Sequence, residues 1–400
     1  MKTILILNHN QENFGTYFRC FFLGQGIAAK GYQVKMICAS GKNFDLLIRK
    51  KRINASFTIY TLPRIKYHQY FTGQLLRLFI TLPFILFSQY DICHAFTIAQ
   101  PQIAIPAFLA KVFRRKKLIV DWDDLWGGGF AEEHTSIISS ILGWSERYFL
   151  QFADYITYVS RFLKSEIKKA SCKYPEIKNI PTIKIPNGAN TKQISILEKN
   201  VCRRVLNWSL HKKYILSMGN TYTNGLGVLA QALKIIVRER KDIYLVLIGE
   251  LIIPQKFQRI FNQIKNNVII LGKQPFKNIP TSLGAADVLV LPMDDNNIEK
   301  ARFPMRLGDY LSAGRPIVSN AVGEVQYYLE KYSAGLISPP RSSHQLAKNL
   351  QKVLENNELA IKISINARKL AENDLNWEKS FKLLSNIYSQ PTSKCIIKIL

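Results

Sequence analysis

Acidic side chains are scarce in this chain. Its 28 Asp and Glu stand against 55 Lys and Arg, giving a formal net charge of +27 over 400 residues. A soluble enzyme has no need of such an excess, which points to an anionic partner: nucleic acid, an anionic membrane or an acidic ligand. Cysteine is sparse as well. Cys20, Cys38, Cys93, Cys172, Cys202 and Cys395 are scattered with no Cys-x-x-Cys spacing, which argues against a zinc site or a disulfide framework and for reduced, mostly buried thiols in a cytosolic protein. Long hydrophobic runs are lacking too. The apolar stretch within Met1–Asn8 is too short for a signal peptide, and Leu75–Phe87 carries Arg77, Thr81 and Pro83 and falls short of the ~20 residues a membrane span needs. It reads as a core helix or one lying on a membrane surface. No internal repeat, low-complexity segment or Gly-x-Gly-x-x-Gly signature occurs, so an NAD site has little support.

What the chain does have is core and charge asymmetry. Hydrophobic residues make up 47%, ample for two or three domains. Residues 1–120 hold 17 Lys or Arg against 3 acids, more than half the excess in under a third of the length, with the densest runs at Lys50-Lys51-Arg52 and Arg114-Arg115-Lys116-Lys117. The basic half lacks any nucleic-acid reading motif.

A first βαβ unit is legible. Ile4–Leu7 reads as a buried strand, Asn8–Thr16 as a polar loop carrying Gly15, residues 17–30 as a helix closed by Gly31, and Gln33–Cys38 as the next strand. Ligands bind at the carboxyl ends of such strands, which puts Gly15 at a binding edge. Asp91–Ala95 is a further strand, with His94 expected to be packed, followed by a helix from about Pro101 to Phe113. Leu118–Asp121 then delivers Asp121, Asp123 and Asp124 into a loop with Trp122, Trp126 and three glycines, which suggests a mobile acceptor loop. Asp121-Trp-Asp123 is also an Asp-x-Asp tag able to hold a hard divalent cation.

The most informative stretch is Asn297–Val318. Pro304 suits a first helical turn and Gly314 with Pro316 a stop, predicting a short helix over about 304–313. Its N-terminus offers unpaired N–H groups and a positive dipole end, with Arg302 and Arg306 beside it and Asp309 about one turn on. Gly308 inside the helix costs about 1 kcal/mol against Ala, which a close approach of another backbone or a ligand would justify.

Arg306-Leu-Gly-Asp-Tyr-Leu-Ser-Ala-Gly-Arg-Pro-Ile-Val318 resembles the Lys-Leu-x-Glu-Tyr-x-Ala-x-Gly-x-Pro-Val-Val pattern of retaining glycosyltransferases of family 4 (group 1), and the likeness continues along the chain. Ala153–Ser160 is similar to the family's Ala-Asp-x-Ile-x-x-Val-Ser strand, Pro186-Asn-Gly-Ala-Asn190 to its Pro-Asn-Gly-Val-Asp turn, and Leu283–Pro292 to its Leu-x-x-Ala-Asp-Val-x-Val-x-Pro. There are departures. Ala301 stands where the first acid of the Glu-x7-Glu motif belongs, with Glu299 the nearest carboxylate; Asp309 replaces the second acid; Asp123 stands where a histidine often does; and Glu324 replaces the second glycine of Val-Gly-Gly-Val. The loop from Gly219 is one residue short, and Asn220 and Asn224 fall where the family has a diphosphate-gripping Arg and Lys.

The resemblance implies an α/β GT-B architecture: two Rossmann-like domains with parallel sheets facing across a cleft, residues 1–190 binding acceptor, 191–372 binding the nucleotide sugar, and 373–400 returning as a helical segment to the first. It implies transfer from a nucleotide diphosphate sugar with retention and no cofactor or metal, onto a lipid-linked or glycan acceptor in cell-surface polysaccharide assembly, by a cytoplasmic enzyme peripheral to the inner membrane face with anionic lipid, not nucleic acid, as its partner. The implied catalytic residues are Arg306, Glu299 and Asp123. The implied donor contacts are Gly15, Gly219, Asn220, Asn224, Arg302, Arg306, Asp309 and Glu324, and the acceptor contacts Asp121, Asp124 and Trp126. A noncatalytic partner subunit and a sugar-nucleotide epimerase of the same fold are the competing readings.

Overall fold

Strands buried on both faces read as continuous apolar runs, and this chain has many, so parallel sheets covered by helices follow. The computed structural model of the chain describes residues 1–64, 71–133, 136–219 and 224–391. It divides into two compact units, Met1–Pro186 together with the chain from Trp377 onward, and Asn187–Asn376.

The first unit holds eight strands: β1 (Thr3–Gln11), β2 (Gln33–Ala39), β3 (Arg49–Asn54), β4 (Phe57–Leu62), β5 (Ile92–Phe96), β6 (Lys117–Trp122), β7 (Tyr155–Tyr158) and β8 (Thr182–Lys184). Their order is β3-β4-β2-β1-β5-β6-β7-β8, with β3 antiparallel to β4 and every other pair parallel. The chain winds outward from β1 to one side and returns at β5 to build the other. The crevice between β1 and β5 is therefore the switch point at which such sheets bind ligands. β1 runs four residues past Leu7, so Asn8–Gln11, expected in a loop, extend the strand; Asn8, His9 and Asn10 stay buried there.

Helix Phe71–Phe87 takes in the expected apolar stretch. It buries Leu78 and Ile85 and leaves Phe79 and Phe87 exposed, while the buried Arg77 donates to the His9 carbonyl at 3.1 Å. Among the described residues no helix is long and apolar enough to cross a membrane. His94 is packed, as expected: fully buried, 2.7 Å from the Tyr388 hydroxyl, with burial lowering its pKa to about 4.

Tyr388 belongs to helix Trp377–Ser389, which packs on helix Thr16–Ala29. Trp377 stacks on Phe22 at 5.5 Å, and a Cβ on Gly26 would lie 2.2 Å from the Phe381 ring, so only glycine fits there. Lys117, counted above in a basic run, is buried and donates to the carbonyls of Ile387 and Gln390 at 2.5 and 2.7 Å. That part of the run serves the fold and not a partner.

The second unit holds β9 (Lys213–Met218), β10 (Ile243–Ile248), β11 (Val268–Gly272), β12 (Val288–Leu291), β13 (Ile317–Asn320) and β14 (Leu336–Ser338), all parallel in the order β11-β10-β9-β12-β13-β14. Its switch point lies between β9 and β12. Helix Asn224–Glu239 buries Leu226, Leu229, Leu233 and Ile236 at helical spacing, in one core with Leu245 and Leu247 of β10 and Val288 and Val290 of β12.

Candidate active site

In the second unit the site is built on helix Met305–Ala313. Pro304 is its N-cap, one residue outside the helix, and supplies no side-chain cap, so the first turn keeps backbone N–H groups to offer. Gly314 ends it at φ 59°, the left-handed conformation glycine supplies. Tyr310 is fully buried and pins the helix to the sheet, accepting from the Met218 amide at 2.6 Å where β9 ends. Gly308 answers to the backbone: a Cβ there would lie 2.7 Å from the Gly188 carbonyl, because the Asn187–Asn190 turn packs on the helix, with Asn187 Nδ2 donating to the Phe303 carbonyl at 2.6 Å.

Arg306 projects across the end of β9. Its Nη1 donates to the Met218 carbonyl at 2.9 Å, and a Cβ on Gly219 would come within 2.5 Å of the same atom. Gly219 is bare because the guanidinium occupies that space. Gly219 takes φ 123° and its carbonyl lies where a Cβ on Gly249 would sit, so two strand ends and an arginine converge. Burial first, then the neighbouring Arg302 charge, lowers the Arg306 pKa from its ordinary value. An arginine does not give up its proton in a protein, so the shift measures a desolvated cation short of negative charge. Among the described residues no carboxylate bonds to it.

Arg302 is different. Its Nε donates to Glu299 Oε2 at 3.0 Å and its Nη2 to Glu299 Oε1, with Glu299 4% exposed in the first turn of helix Asn297–Ala301. The expectation that Arg302 acts with Arg306 on phosphate is thus corrected: Arg302 and Glu299 neutralise each other at i, i+3, leaving Arg306 as the one of the two arginines with no carboxylate partner among the described residues. Asp309 is half-buried, forms no hydrogen bond among the described residues, and is pushed by burial up to about 7. Glu324 is buried in the first turn of helix Gly323–Lys331, and a Cβ on Gly323, at φ 54°, would lie 3.1 Å from the carbonyl oxygens of Glu299 and Lys300. Asn220 lies outside the described residues. Asn224 opens its helix, with its side chain likewise outside the description.

In the first unit the loops at the β1/β5 switch point and after β6 gather a second set of polar groups. Gly15 turns between β1 and helix Thr16–Ala29 at φ 55°, its α-carbon against Asn10. Asp121 is fully buried and grips Arg19 through two bonds, Nε to Oδ1 at 2.9 Å and Nη2 to Oδ2 at 2.8 Å, while Thr157 donates to Oδ2 at 2.6 Å. That removes it from any acceptor, contrary to expectation: it is a structural ion pair.

Asp123 sits beside it and feels the Arg19 charge, which acts against the larger effects of burial and the neighbouring carboxylates. Burial, then the charges of Asp124 and Asp121, raise it to about 8, and Thr97 Oγ1 donates to its Oδ1 at 2.5 Å. At neutral pH it is a protonated acid and a hydrogen-bond donor. Asp124 is half-buried, accepting from Thr16 Oγ1 at 3.2 Å. Trp126 lies 5.9 Å edge-on from His9, and its buried indole Nε1 has no hydrogen-bond partner among the described residues.

Three groups here escaped the sequence reading. Thr97 holds φ 54° at the end of β5, a strained position for a β-branched residue. His9 entered through the unforeseen extension of β1. Glu146 is buried and accepts from Trp122 Nε1, the Trp126 amide and the Gly127 amide at 2.9, 3.0 and 2.9 Å, with burial raising its pKa to about 7. With Arg147 Nη2 donating to the Gly127 carbonyl at 3.0 Å, it anchors the glycine loop expected to be mobile. An acid two residues before a helix end carried no signal of this; only the fold brings it to the loop.

Solved structures of the same fold are GT-B glycosyltransferases. Sucrose-phosphate synthase from Thermosynechococcus elongatus superposes with a TM-score of 0.76 at 18% identity over 97% of this chain and 98% of its own. Anabaena HepE in complex with UDP and glucose gives 0.69 at 16% over 98% and 100%, and an α,α-trehalose-phosphate synthase (UDP-forming) from Burkholderia xenovorans in complex with glucose-6-phosphate 0.69 at 12% over 98% and 100%. No curated protein sequence matches the chain. Residues 19–193 match Glycosyltransferase Family 4 and residues 198–370 match Glycosyl transferases group 1, which between them take in nearly the whole chain. It belongs to these families and is a glycosyltransferase.

Proposed function

We propose that this chain transfers a sugar from a nucleotide diphosphate sugar, with retention of anomeric configuration, to a lipid-linked or glycan acceptor in cell-surface polysaccharide assembly at the inner face of the membrane. The observation that carries the reading is Arg306: a desolvated guanidinium with no carboxylate partner among the described residues, at the switch point of the second sheet and at the N-terminal turn of an uncapped helix. A diphosphate is the anion such a place suits, and stabilising it as it departs is the largest contribution a protein makes to this chemistry. Asp309, unpartnered and half-buried, would take donor hydroxyls. In retention the departing phosphate oxygen receives the acceptor proton on the face from which it leaves.

The first unit would hold the acceptor. Protonated Asp123 and the indole N–H of Trp126 both offer hydrogen bonds to hydroxyls at the β1/β5 crevice. Anabaena HepE, solved with UDP-glucose, supports a nucleotide sugar as the donor class.

Thermal stabilisation by a panel of nucleotide sugars, followed by turnover of the ligand found, tests this. Arg306→Ala is expected to lower turnover by about 100-fold or more, as loss of one charge-stabilising donor does elsewhere, with the melting temperature little changed. Turnover equal to wild type would remove the reading. The Arg302–Glu299 pair, which consumes a cation and an acid, favours one competitor: a subunit that no longer binds donor. Calorimetry showing no nucleotide-sugar binding by the wild type would favour it.

A further inference from the structure

Surface helices of soluble units turn polar residues outward. Helix Ser136–Tyr148 does not. Ile137, Ile141 and Trp144, at i, i+4 and i+7, form one stripe exposed to 72%, 51% and 47%, while Leu142, Ser145 and Glu146 face inward. The helix follows the glycine loop and is tied to it through Glu146 and Arg147. Beside it packs helix Arg161–Lys173, joined through Arg147 Nη2 and Glu166 Oε2 at 2.8 Å. The two helices connect β6 to β7 and β7 to β8, neighbouring parallel strands taken in one direction, so right-handed crossovers place both on the same face of the sheet.

The outward side of the second helix is basic. Arg161, Lys164 and Lys168 line a groove of about 460 Å³ closed on its far side by Lys178, floored by Ile167, Ile177 and Ile180, with no acidic residue in its lining. Lys164, Lys168 and Lys178 have no ion pair among the described residues. Between residues 161 and 184 the chain carries seven Lys or Arg and two acids.

We propose that this face of the first unit docks on an anionic lipid bilayer, the Ile137–Trp144 stripe entering the interfacial layer and the groove taking lipid phosphate. An apolar stripe with a tryptophan beside unneutralised cations matches both requirements of a peripheral contact, apolar area and charge. A second copy is disfavoured on charge, since each chain carries +27. The inference deepens the reading of a lipid-linked acceptor: the docking helix starts where the acceptor loop ends, so a lipid carried in the interface would present its head group near Trp126.

The full chain is sedimented with vesicles of phosphatidylcholine alone and with about one-third phosphatidylglycerol. Expected is binding to the anionic vesicles only, released by high salt. Two variants at exposed positions, Ile141→Gln with Trp144→Gln and Lys164→Glu with Lys168→Glu, should each weaken it more than tenfold, with unchanged circular dichroism and unchanged thermal stabilisation by UDP-glucose or whichever donor stabilises the wild type. Equal binding to neutral vesicles, or wild-type binding by both variants, overturns the proposal. So does a wild-type dimer in light scattering that the variants dissociate, which makes the face an interface between copies. Lipid binding without any nucleotide-sugar stabilisation would sink the transferase reading and leave the docking face standing.

Discussion

At the scale of single residues, the two switch points carry opposite electrostatic problems. In the second unit a desolvated cation has no carboxylate bonded to it among the described residues; in the first, Asp123 is an acid desolvated beside two others. The consequence for Asp123 is a pH dependence of stability. Its pKa in the unfolded chain is about 3.9, against about 8 when folded. The folded state therefore holds a proton that the unfolded chain gives up, and stability falls as pH rises between those values. Asp123→Asn keeps the shape and an acceptor for Thr97 Oγ1 and carries no such penalty. Urea midpoints for the two proteins should differ little near pH 4.5, and the variant should lead by a few kcal/mol at pH 8. A constant offset across the range would mean Asp123 is ionised in the folded protein.

At the scale of elements, helix Met305–Ala313 depends on one close approach. Gly308→Ala gains about 1 kcal/mol of helix propensity, but its Cβ would lie 2.7 Å from the Gly188 carbonyl and force the Asn187–Asn190 turn away. The expected net effect is a loss of about 1–3 kcal/mol, the usual cost of overpacking, read as a lower melting temperature. A stabilised variant would show that the turn yields freely. The sequence anticipated this helix within a residue at its start and the close approach at Gly308, because glycine and proline signals are local. It anticipated the alternating strands and helices for the same reason. It did not anticipate that Arg302 and Glu299 pair, that Asp121 closes on Arg19, or that Glu146 anchors the glycine loop. Arg302 and Glu299 stand at i, i+3, a spacing the sequence displays without showing that Glu299 is buried and bonded there; the other two charges found their partners through the packing of elements that no pattern along the chain encodes. Charged residues near a motif look available in sequence, and burial decides which of them are.

At the scale of the whole molecule, the first unit is completed by the last described helix. Trp377, Leu384, Ile387 and Tyr388 are all buried in it, and burying a large apolar side chain contributes about 1.5–3 kcal/mol. Together these four amount to at least ~6 kcal/mol, of the order of the 5–15 kcal/mol that holds a typical domain folded. Their removal would also strand polar groups. His94 loses the Tyr388 hydroxyl, and Lys117, buried beneath the helix, loses both carbonyls it bonds. Each buried group left unsatisfied costs about 1–3 kcal/mol more. Residues Asn187–Asn376 form a unit with its own sheet and core. Ending the chain after Asn376 should therefore abolish or sharply lower one calorimetric transition while the other persists, with limited proteolysis cutting first within residues 1–186. If both transitions fell together, the two units would fold as one; if neither moved, the apolar contacts of helix Trp377–Ser389 would contribute far less than their burial indicates.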